Sequence, residues 1–92
     1  MLYMCLLSWD PKDRNTVIER TKKLGFAHEG MKTLGTWVDP AGSRGYQLVD
    51  MPNNMDPAVY MKNLLAWNDI IKIENIAVVE GGEMMKAMSS MK

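Results

Sequence analysis

The first residue to ask about proton transfer is His28, the single histidine in a chain of 92 residues, because imidazole titrates near neutrality. It stands just before a strand-forming run, in a connecting loop, and loops on rigid scaffolds carry function disproportionately. The plainer alternative is a solvated loop histidine, since nothing nearby in sequence orients the ring. Glu74 is the second candidate acid-base group. Turned towards an enclosed interior it is a perturbed carboxyl of functional interest; at a strand end or edge it is a solvated charge or half of an ion pair. Arg44 and Asp50 pose the same choice, with Asp39 within reach of Arg44 across a turn.

Trp37, Tyr46 and Trp67 have the surface to line an aromatic pocket for a small planar organic molecule. They are equally suited to plain core packing, which aromatics dominate in small domains. Asn68 follows Trp67 on an inward-leaning helical stripe, where a buried amide needs backbone, water or a bound molecule as partner. The candidate set is thus His28 and Glu74 for proton transfer, and Trp37, Tyr46, Trp67 and Asn68 for holding a ligand.

Other chemistries lack their residues. No Gly-rich phosphate loop, paired Cys/His ligand set or Ser-His-Asp combination occurs, so no metal and no cofactor is expected. Met85, Met88 and Met91 have a spacing that can offer thioethers to Cu(I), but an apolar docking stripe of Met84, Met85, Met88 and Met91 explains them more simply. Zero formal charge speaks against nucleic acid as a partner. The one cysteine, Cys5, allows no intramolecular disulfide and suits a reducing cytoplasm. No stretch is long enough to span a bilayer, and Met1–Trp9 lacks the basic start and cleavage site of a signal peptide. A cytoplasmic location is expected.

The elements that must position these residues are organised around a hairpin. Met31–Val38 and Arg44–Met51 are β-branched and aromatic runs flanking Asp39-Pro-Ala-Gly-Ser43. Leu2–Trp9 is a continuous apolar run, which predicts a central strand. Asp10-Pro11 and Asp56-Pro57 each read as an N-cap followed by the first helical residue. The first helix presents Val17, Ile18, Thr21 and Leu24 inward and ends at Gly25; Phe26–Gly30 connects to the hairpin. The second carries Tyr60, Met61, Leu64, Trp67, Asn68 and Ile71. In the final strand, Lys72–Glu80, Ile73, Asn75, Ala77 and Val79 share one face, and Glu74, Ile76 and Val78 the other. The sum is an α+β, ferredoxin-like split βαβ domain over residues 1–80, a four-stranded antiparallel sheet with two helices. Residues 81–92 form a Met-rich C-terminal helical tail. Two helices cover only one sheet face, yet both faces are apolar, so a homodimer through the open face is expected.

Gly35-Thr-Trp37, Arg44-Gly-Tyr-Gln-Leu-Val-Asp50 and Trp67-Asn-Asp69, in that order and spacing, resemble a family of short bacterial and archaeal proteins known only as a domain of unknown function. The likeness spans roughly Met1 to Val79. The resemblance implies a dimeric α+β barrel, a superfamily that includes cofactor-independent monooxygenases, isomerases, haem enzymes and ligand-sensing domains. The chain departs from the family pattern at Val38, where a histidine is common, at Asn68 in place of a small hydroxyl residue, and at Ile76-Ala77 in place of valine-proline.

The expectation is a dimer that binds a small hydrophobic or aromatic molecule, with monooxygenase- or isomerase-like chemistry if it is an enzyme. The rival is a non-enzymatic ligand-sensing or accessory subunit that docks on a larger complex through Met84, Met85, Met88 and Met91. Haem held by His28 is a third alternative.

Overall fold

The computed structural model describes residues 1–25 and 28–91. In chain order the elements are β1 (Leu2–Ser8), a 3-10 turn (Pro11–Asp13), α1 (Arg14–Leu24), β2 (Lys32–Val38), β3 (Arg44–Asp50), α2 (Pro57–Leu65), β4 (Lys72–Val78) and α3 (Gly81–Ser90). The strands form one antiparallel sheet in the order β2-β3-β1-β4. This is the α+β, ferredoxin-like arrangement with the apolar run Leu2–Ser8 in a central position. The Phe26–Gly30 connection lies partly outside the described residues.

Both Asp-Pro signals start helical structure. The Asp10 side chain accepts from the Lys12 amide at 3.0 Å, and that of Asp56 from the Ala58 amide at 2.9 Å. Each satisfies one of the amides left bare at a helix start. Gly25 closes α1 at φ 74°, a conformation side-chain-bearing residues avoid. The hairpin turn folds on itself: Asp39 Oδ1 accepts from the Ala41 amide, and the Gly42 amide donates to Asp39 O. Trp9 Nε1 then donates to Gly42 O at 2.8 Å, tying the end of β1 to the turn.

The register sorts the sheet into two faces. Cys5, Leu7, Gln47, Val49, Ile73 and Asn75 look towards α1 and α2; Met4, Leu6, Tyr46, Leu48, Glu74 and Ile76 look away. The compact core is at one end of the covered face, where Val17, Trp67 and Ile71 are buried against Leu7, Trp9 and Ile73. Each such burial stabilises by roughly 1.5–3 kcal/mol. Of the expected inner face of α1, only Val17 is buried, while Ile18 and Leu24 are exposed. On the α1 side the roof over the sheet is therefore built from small side chains, Val17 and Thr21, which leave space beneath them.

Two features were not anticipated. Leu34 is an extra residue between Thr33 and Gly35, a bulge that re-aims the outer strand. The second helix ends as regular α-helix at Leu65 and continues as turns through Ile70. That segment is held from α1: Arg20 donates to Ala66 O at 2.8 Å and makes a two-pronged pair with Asp69 at 2.7 and 3.0 Å. Its guanidinium also stacks 5.6 Å from the Trp67 ring centre. Every described residue from Gly81 onward is exposed, so the methionine stripe of α3 is left largely uncovered by the described residues. Among the described residues no helix is long and apolar enough to cross a membrane.

Candidate functional site

A cavity of about 210 Å³ separates the covered face of the sheet from α1 and α2. Its floor is crossed by a row of polar residues, one from each strand: Thr36, Gln47, Cys5 and Asn75 are neighbours in register across β2, β3, β1 and β4. The roof supplies Tyr60, Asn63, Leu64 and Trp67, the inward stripe at helical spacing on and just beyond α2.

The polar row is hydrogen-bonded in two groups. His28 Nε2 lies 2.8 Å from Gln47 Oε1, and Gln47 Nε2 donates to Thr36 Oγ1 at 3.3 Å. An amide oxygen only accepts, so Nε2 carries the imidazole hydrogen in this arrangement and Nδ1 has none in the neutral ring. On the other side of β1, Asn75 Nδ2 donates to the Tyr60 hydroxyl at 2.8 Å. Asn75 Oδ1 is buried without a hydrogen-bond partner among the described residues. A buried acceptor left bare costs about 1–3 kcal/mol. Between the two groups sits Cys5, whose thiol burial pushes up, away from the reactive thiolate.

The candidates read from the sequence divide between the two faces. His28 and Trp67 line the cavity. Trp37, Tyr46 and Glu74 lie together on the opposite, open face, where Tyr46 pairs with Trp37 and both Tyr46 and Glu74 flank Leu6. The Trp37 indole lies over Gly35, where a Cβ would come within 2.5 Å of the ring; only glycine permits that approach. The three aromatics thus form no single pocket. Asn68 is exposed, because the turns after Leu65 rotate it away from the stripe it was expected to share with Trp67. Arg44 makes no ion pair among the described residues, and Asp39 is occupied by its own turn; Asp50 receives the N-terminal ammonium at 3.1 Å. Glu74 is exposed on a strand whose open side has no cover in the single chain.

The amides that do reach the cavity, Gln47, Asn63 and Asn75, were not singled out beforehand. A signal existed for two of them. Gln47 and Asn75 each interrupt a strand with apolar residues on the same face two positions away, Val49 and Ile73, and a polar side chain there needs a reason. Among the described residues no cluster of His, Cys, Asp and Glu could hold a metal ion.

No curated protein and no solved structure matches the chain. One family model does, and it runs through the methionine-rich tail, over residues 1–92, beyond the Val79 limit of the motif likeness. The chain belongs to the family described as a domain of unknown function (DUF3303).

Proposed function

We propose that this protein is a homodimer, paired through the open face of its sheet as in dimeric α+β barrels, and that each subunit binds a small hydrophobic or aromatic organic molecule between sheet and helices. The observation that carries the reading is the cavity itself: apolar walls and a polar row across its floor, with His28 joined to Gln47 on one side and Tyr60 to Asn75 on the other. The second face supports the dimer. Leu2, Met4, Leu6, Leu48, Ile76 and Val78 alternate onto it, and no helix of the chain covers them.

If the bound molecule is also transformed, His28 is the group to move a proton. With Nε2 engaged by Gln47, the other ring nitrogen is left to accept one from a ligand hydroxyl or an acidic C–H. The Tyr60 hydroxyl, held by Asn75 Nδ2, then donates to the oxygen on which charge develops, beside largely apolar walls. Isomerisation of the bound molecule, or its oxidation with dioxygen as the oxidant, fits this division of labour. Glu74 is left with a role at the dimer contact.

Native mass spectrometry of protein purified from its own source tests both halves together. The reading expects a dimer carrying one small organic adduct per chain; a monomer that never retains an adduct counts against it. A second reading, an accessory subunit docking through α3, is supported by the uncovered stripe of Met84, Met85, Met88 and Met91. Deletion of residues 82–92 separates the two: loss of a co-purifying protein without loss of ligand binding favours docking.

A further inference from the structure

No aspartate, glutamate, lysine or arginine is among the described side chains that line the cavity. An ionised ligand there would meet no counter-charge from aspartate, glutamate, lysine or arginine, and desolvating a charge with so little compensation is costly compared with binding a neutral isostere. The charged residues of the strands, Lys32, Arg44, Asp50, Lys72 and Glu74, are all on the other face.

On the floor of the cavity polarity is concentrated at two places, with Asn63 and Thr21 adding polar groups from the roof. Gln47 and Asn75 are both register partners of Cys5, one on each neighbouring strand, so their backbones stand about 10 Å apart, two strand spacings. Each is joined by a hydrogen-bonding group from above, His28 at one place and Tyr60 at the other. The space between is apolar apart from the Cys5 thiol. Its size sets a scale: a dry cavity of about 150 Å³ accommodates benzene, and this one, at about 210 Å³, has room for a second fused ring.

We propose that the cavity selects an uncharged, planar molecule of about two fused rings that bears a hydroxyl or carbonyl oxygen at each end. This rests on the small-molecule reading above and adds its chemical class. At one end a ligand oxygen accepts from the Tyr60 hydroxyl, whose hydrogen is not used in its bond to Asn75 Nδ2. At the other end a ligand hydroxyl meets the imidazole nitrogen of His28 that Gln47 leaves without a hydrogen. Anionic relatives of the same size are disfavoured because no lysine or arginine lines either end.

Isothermal titration calorimetry of the full chain at neutral pH, with four probes of one skeleton, tests this. The probes are naphthalene, naphthol, a naphthalenediol with its hydroxyls on opposite rings, and naphthoate. Each added hydroxyl is expected to tighten binding about tenfold, the equivalent of one good hydrogen bond, and naphthoate is expected to bind at least about a hundredfold more weakly than naphthol. Asn75→Leu, or Tyr60→Phe where the first variant fails to fold, should erase the gain from the second hydroxyl and keep that from the first. Equal affinity for naphthol and naphthoate, or naphthalene binding that hydroxyls do not improve, overturns the class and leaves the pocket reading standing. Failure of all four probes overturns both.

Discussion

His28 Nε2 and Gln47 Oε1 are 2.8 Å apart across the gap between a loop and the buried floor of the sheet. Gln47 is 3% exposed and holds Thr36 with its other amide group, so the imidazole is oriented by a rigid strand although it sits on a loop. The arrangement supplies what the sequence around His28 lacks. Nitrogen-15 shifts of the ring should report the Nε2–H tautomer in the native protein and a mixture of tautomers in Gln47→Leu. That variant should also lose about 1–3 kcal/mol of stability in urea unfolding, because the Thr36 hydroxyl and the ring lose a buried partner.

Trp67 and Asn68 are adjacent in sequence and opposite in consequence. Trp67→Ala removes a ring buried against Val17 and Ile71 and should destabilise by about 3–5 kcal/mol; the milder Trp67→Phe keeps the fold for ligand measurements and should weaken naphthol binding. Asn68→Ala touches an exposed side chain and should change stability by no more than about 0.5 kcal/mol. Similar effects from the two alanine variants would mean that the turn after α2 is wound differently.

The Arg20 guanidinium holds the Asp69 carboxyl below the usual carboxylate range, and Asp69 holds Arg20 above its own. The folded state is therefore the weaker proton acceptor at Asp69, and the pair's contribution is complete above the unfolded aspartate value, near pH 4. It is lost as the pH falls through the lower folded value. Thermal unfolding of wild type and Asp69→Asn should differ by a constant amount around neutrality and converge only below about pH 4. Convergence at higher pH contradicts the direction of the shift.

Leu48 and Met4 are neighbours in the middle of the open face. A lysine at Leu48 places a charge where a second sheet is proposed to lie, and it should weaken self-association at least about tenfold in sedimentation velocity. The tail variant lacking residues 82–92 should keep the same dimer if α3 is a docking helix, and loosen it if α3 is an arm between subunits.

Much of this fold is legible in the sequence, because the signals are local. Asp10-Pro11 and Asp56-Pro57 mark helix starts, and Asp39–Ser43 marks the hairpin. Alternation puts Tyr46 and Gln47 on opposite faces, but alternation is symmetric: it cannot say which face the helices cover. That is why Tyr46 and Trp37 were grouped with Trp67, although a sheet lies between them. The winding after Leu65 was hidden for a different reason. It depends on Arg20, 46 residues from Ala66, and a tertiary clamp leaves no mark in local periodicity. The Leu34 bulge likewise arises from pairing with β3, not from its own residue type.

The two faces give the most direct test of the ligand site, because Trp9 and Trp67 line the helix-covered side and Trp37 lies on the open one. In a proton–nitrogen spectrum of the full chain titrated with naphthol, the indole of Trp67 and the side-chain amides of Gln47 and Asn75 should shift together and saturate, while the indole of Trp37 stays in place. Shifts confined to Trp37, or none at all on the helix-covered side, would contradict the assignment of the cavity as the binding site.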